Sequence, residues 1–106
     1  MSPFIPAQAR GFIAAALGSL QSDNELVREA VTAQIKDCIS EMQRMVIQPI
    51  HPAYIGHVPG PNPDVPIFRA VIPLAEKMLR AMQRRDQRSA LDAGNAALAK
   101  LSTFGY

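Results

Sequence analysis

The sequence lacks tryptophan, has a single cysteine and is poor in aromatic residues, which make up 6% of its 106 residues. The single cysteine, Cys38, excludes a disulfide within the chain and favours a reducing compartment. Because aromatic side chains are few, alanines and five methionines must supply much of the buried area. A core built from them is thin for a chain of this length, so we expect self-association or a protein partner.

Two further absences limit the function. No apolar run reaches the about 20 residues that a membrane span needs, and the apolar segment at 11–20 lacks the basic start of a signal peptide. The sequence also contains no phosphate-binding glycine loop, paired-carboxylate site or zinc-protease motif. We therefore expect no enzyme activity, no cofactor and no secretion, with a cytoplasmic location or one inside an assembled particle.

Proline, by contrast, is concentrated in one segment: seven of the nine prolines lie between Pro49 and Pro73. Proline lacks the backbone donor and restricts the residue before it, so the stretch from Pro49 to the start of the third predicted helix cannot be helical. The sequence predicts a stiff connector over residues 48–64, largely in the polyproline II conformation. Such a connector allows the helices on either side to run parallel or antiparallel, and the sequence leaves this open.

Apolar residues recur at three- and four-residue steps on both sides of the connector, which is typical of amphipathic helices. Ser22 and Glu25 fit a capping box at the start of the second helix, and Asp64 is placed to cap the third. Pro73 predicts a kink or a restart in the third helix, and a turn near Asp86 is favoured over one long helix. The prediction is a single-domain, all-α bundle of three or four helices, over residues 6–20, 23–47, 65–85 and 89–102.

The first predicted helix carries large apolar side chains on one face and small residues on the other. Two interpretations remain open. Its glycines are tolerated defects, or the helix lies between its own bundle and another chain. The second interpretation assigns partner binding to Ala7, Gly11, Ala14 and Gly18.

Methionines form a second candidate surface. Met42 and Met45 lie on the second predicted helix, and Met78 and Met82 lie on the third. Because methionine is flexible and polarisable, a groove lined by it adapts to varied partners. The alternative is that the four side chains pack against each other in the chain's own core.

A row of basic residues is the third candidate. Lys77, Arg80, Arg84 and Arg88 are three or four residues apart, so they share a face if the helix is continuous. Phosphate contacts come from such rows, which makes a nucleic-acid-associated regulator the alternative function. The competing interpretation is a solvated face, or one that pairs with acidic residues of the second helix.

His51, His57 and Cys38 are the remaining candidates for chemistry. Both histidines lie in the connector, and together with Cys38 and Asp64 they match no spacing of a metal site. Cys38 falls on the apolar stripe of the second helix, where a cysteine behaves as a small core hydrophobe. We assign none of these residues to a catalytic or metal site.

The two helical halves also differ in charge. Residues 22–48 hold five acidic and three basic side chains, whereas residues 74–106 hold six basic and three acidic ones. Opposite charges suit packing of the halves against each other or against an external partner. The sequence therefore favours a non-catalytic protein–protein interaction module, such as an assembly factor, chaperone-like adaptor or small structural subunit, that is oligomeric or part of a larger complex.

Overall fold

The computed structural model describes residues 4–47 and 63–106, which fold into four α-helices and contain no strand. The predicted all-α fold is confirmed, and each helix end lies within two residues of its predicted position. The predicted connector lies outside the described residues apart from Pro63 and Asp64. The helices are α1 (Pro6–Ser19), α2 (Glu25–Ile47), α3 (Val65–Gln83) and α4 (Gln87–Thr103).

The helices run alternately up and down around a square. Arg85, just after α3, pairs with Glu25 at the start of α2. The side-chain amide of Gln87, at the start of α4, donates a 2.9 Å hydrogen bond to the carbonyl oxygen of Leu20, just after α1. The backbones of α2 and α4 do not approach each other closely, and those of α1 and α3 do so only over a short stretch, so these pairs lie across the diagonals. α2 and α3, whose relative direction the sequence left open, are antiparallel neighbours.

The core changes in composition along the bundle. Where α1 and α3 begin, Phe68 is fully buried against Phe4, with ring centroids 6.0 Å apart, and Phe12 stacks on Phe4 at 6.2 Å. At the opposite end the buried positions include Ala16, Ala81 and Ala90. Because small side chains fill less space, the bundle is less completely filled at that end.

The predicted turn near Asp86 is present, but α4 begins at Gln87 rather than at Ser89. The Asp86 amide donates to the Ala81 carbonyl oxygen at 2.9 Å while Arg85 adopts φ 59°, so α3 ends in a Schellman motif. Asp86 then caps α4, because its carboxylate accepts from the Ser89 amide at 3.1 Å and the Ser89 hydroxyl at 2.7 Å. These hydrogen bonds lower the pKa of Asp86.

The predicted capping box at Ser22 is wrong by two residues. Asn24 caps α2: its side-chain oxygen accepts from the Leu26 amide at 3.0 Å, and its carbonyl oxygen accepts from the Arg28 amide at 3.1 Å. The Ser22 hydroxyl accepts from the Asn24 amide at 3.2 Å, in a turn before the helix. Glu25 does not take part in a capping box and pairs with Arg85 instead.

α3 is a single helix through Pro73, so the predicted restart does not occur. Pro73 lies on the exposed side, where water can satisfy the carbonyl oxygen of Arg69 that the proline leaves without its helical donor. Asp64 occupies the predicted N-cap position, although its side chain makes no cap hydrogen bond. Burial raises the pKa of Asp64.

Candidate functional site

The outer face of α1 consists of small residues, and the one charged side chain of the helix, the exposed Arg10, lies at its edge. A surface helix normally places polar residues opposite its buried stripe, whereas α1 places small residues there. Beyond the adjoining residues and backbone of α1 itself, a methyl group on Gly11 or Gly18 would meet no atom of the described chain within 4 Å. We call this exposed surface the α1 small face; its members are Ala7, Gly11, Ala14, Ala15 and Gly18.

All four residues that the sequence assigned to partner binding on the first helix therefore lie together and face away from the bundle. From Ala7 to Gly18 they extend for about 16 Å along α1. The opposite side of α1 is anchored by Ile13, Ala9 and Ala16, none of which is exposed. The helix thus has one face on its own core and one face without a neighbour in the described chain.

The four methionines do not form a surface. Met42, Met45 and Met78 are buried in the core, and Met82 is half-buried. A partner could reach the first three only by opening the bundle. The placement matches the alternative that these side chains pack within the chain's own core.

A groove of about 460 Å³ opens at the alanine-rich end of the bundle. Its floor includes Ala16, Val31 and Ala90, and its rim carries both signs of charge. Sequence reasoning missed the groove because all four helices contribute to it. The sequence feature that could have indicated the groove is the group of alanines at this end, because their small side chains leave space open.

The corner between α3 and α4 separates the basic residues that the sequence placed on one face. Lys77, Arg80 and Arg84 are exposed on α3 and at its end, whereas Arg88 belongs to α4. Arg69 lies on the same face of α3 as these cations, because it precedes Arg80 by three helical turns. This spacing was visible in the sequence. We call Arg69, Lys77, Arg80 and Arg84 the basic row.

Pairing of the basic row with α2 does not occur. Within residues 4–47 and 63–106, no carboxylate lies within 4 Å of the charged groups of Arg69, Lys77 or Arg80. Glu41 pairs instead with Arg44 of its own helix, at 2.6 Å. Arg69, Lys77 and Arg80 are therefore exposed and have no direct ion pair within the described ranges.

The described residues offer little chemistry. Burial, with a smaller contribution from the charge of Glu41, raises the pKa of the Cys38 thiol to about 12, so it stays protonated near neutral pH. In the described ranges no three metal-ligating side chains come together, and none of the helices is both long and apolar enough to span a bilayer. His51 and His57 lie outside the described residues.

A comparison of the chain with protein-family models, curated proteins and solved structures finds no match. Function is therefore inferred from the surfaces of this chain.

Proposed function

We propose that this chain is a non-catalytic protein–protein interaction module that associates through the α1 small face. The partner is a second copy of the chain or a helix of a larger complex. The observation that carries the proposal is the exposure of an uncharged face of alanine and glycine on a helix whose one charged side chain is Arg10. A helix face without polar or charged side chains is normally buried against a neighbour.

Small residues also explain how such a contact would gain its energy. Without long side chains between them, two helix backbones approach closely, and dispersion contacts are made along the whole face. Alanine and glycine have no side-chain rotamers to order, so association loses little side-chain entropy. A two-fold pair would use the same face on both copies.

The core supports the same proposal. Its described part relies on alanine and methionine, and its alanine-rich end leaves a groove. Such a core contributes little stability, so burial of further apolar area against a partner would stabilise the fold. A reducing compartment such as the cytoplasm, or the interior of an assembled particle, suits the free thiol of Cys38.

The test is light scattering on the purified chain and on Gly11→Leu. We expect the wild type to be larger than a monomer and Gly11→Leu to shift toward the monomer, because leucine separates the two backbones. Folding should persist, since the space beside Gly11 is open in the isolated bundle. Ala30→Leu, on the exposed side of α2, adds bulk elsewhere and should leave association unchanged.

Two results would contradict the proposal. One is a stably folded wild-type monomer that captures no partner from its native extract. The other is an equal loss of folding and association in Gly11→Leu, which would mean that the small face is internal to the fold.

A further inference from the structure

The basic row gives the outer face of α3 a dense positive charge. At about 100° per residue its four cations fall within an arc of about 80°, and they extend about 22 Å along the helix. All four side chains are exposed. The row is longer than the α1 small face and lies on a different helix.

Little within the described part of the chain neutralises this charge. Glu76 shares the face but is half-buried and makes no ion pair with the row in the described chain. Asp86 approaches Arg84 only to 3.9 Å, with both side chains largely in water, so this pair is weak. Like charges three and four residues apart repel each other, and an anionic ligand would remove that repulsion.

The surroundings of the row indicate which anion fits. The aromatic ring in α3, that of Phe68, is fully buried, so this helix offers no ring on which unpaired bases could stack. The large apolar side chains of α3, such as Ile67 and Met78, face the core and cannot insert into a lipid surface. Cations alone, held in a line on a helix, suit the regularly spaced phosphates of a duplex.

We propose that the basic row binds the phosphate backbone of double-stranded nucleic acid without reading its sequence. The site is independent of the interaction proposed for α1, because α1 and α3 lie across the diagonal of the bundle. Association through α1 would leave the basic row of each copy exposed on the far side of its bundle. Such a pair would hold two duplex segments, and a monomer would hold one.

The test measures binding of the full chain to labelled DNA and RNA duplexes of random sequence by fluorescence anisotropy. Four phosphate contacts predict that log K falls with log salt with a slope of about −3.6. Affinity should thus drop roughly 100-fold between about 50 and about 200 mM salt. Binding to either duplex with this slope supports the proposal.

Charge-matched variants locate the site. Arg69→Gln and Arg80→Gln should each weaken binding and reduce the magnitude of the slope by about 0.9. Arg10→Gln changes the net charge equally but lies on α1, across the diagonal, so it should leave the slope unchanged. Circular dichroism of each variant checks that its helices remain formed.

Three outcomes would overturn the proposal. The first is no duplex binding at about 50 mM salt, where phosphate contacts are strong. The second is an equal effect of Arg10→Gln, which would mean that net charge rather than this face is responsible. The third is tighter binding to phosphatidylserine vesicles or to polyglutamate than to duplex at the same salt, which would assign the face to a membrane or an acidic protein.

Discussion

At the scale of single residues, Gly94 lies where three helices meet. A methyl group at this position would lie 2.6 Å from the Leu17 Cδ2 atom and 3.1 Å from the Met78 Cε atom. Gly94 therefore allows α4 to approach α1 and α3 closely. Gly18 also occurs in an alanine-rich helix, yet beyond the adjoining part of α1 a methyl group there would meet nothing within 4 Å in the described chain.

This contrast predicts opposite effects of the same substitution. Gly18→Ala should raise the free energy of unfolding by about 0.5–1 kcal/mol, because alanine favours the helix and meets open space. Gly94→Ala should lower it by about 1 kcal/mol, because overpacking against Leu17 and Met78 outweighs the helix preference. Urea unfolding at equal protein concentration measures both values. Stabilisation by both substitutions would show that Leu17 moves aside freely.

At the scale of elements, helix ends depend on which of several competent residues forms the cap. Ser22, Asp23 and Asn24 are all suitable N-cap residues, and the glutamate after them completes a capping box only with Ser22. The structure uses Asn24, which leaves Glu25 free to pair with Arg85 beyond α3. The start of α2 at Glu25, two residues later than predicted, is thus associated with an ion pair to a distant part of the chain.

The caps can be distinguished by mutation. Asn24→Ala should lower the free energy of unfolding by about 1 kcal/mol, because the Leu26 amide loses its acceptor. Asn24→Ser should retain most of that stability. Ser22→Ala should cost less than Asn24→Ala, since Ser22 bonds only within the preceding turn. Chemical denaturation of the three variants measures these differences. A larger loss of stability in Ser22→Ala than in Asn24→Ala would support the predicted capping box at Ser22 instead.

At the scale of the whole molecule, the pair of Glu25 and Arg85 aligns α2 with α3. Counted from this pair at 1.5 Å per residue, Ile47 lies about 33 Å and Val65 about 30 Å along the bundle. Neighbouring helix axes are about 10 Å apart. The two ends that the connector must join are therefore close, and a short loop could join them.

This arrangement predicts that the connector can be shortened. Replacement of Pro49–Pro61 by about six Gly and Ser residues should preserve helicity and cooperative unfolding, because antiparallel neighbours need only a short connection. Circular dichroism during thermal unfolding is the measurement, and a Gly/Ser linker of the original length is the control. Loss of folding with the short linker alone would contradict the antiparallel arrangement. Loss with both linkers would show that connector side chains stabilise the bundle.

The sequence by itself determined the helices, because apolar periodicity and proline act within a few residues. It also determined the uncharged face of α1, since a helix places residues 7, 11, 14 and 18 together. Only the tertiary structure decided that this face is exposed, that three of the four methionines are buried and that α2 and α3 are antiparallel. These features depend on contacts between distant segments, which local spacing does not specify.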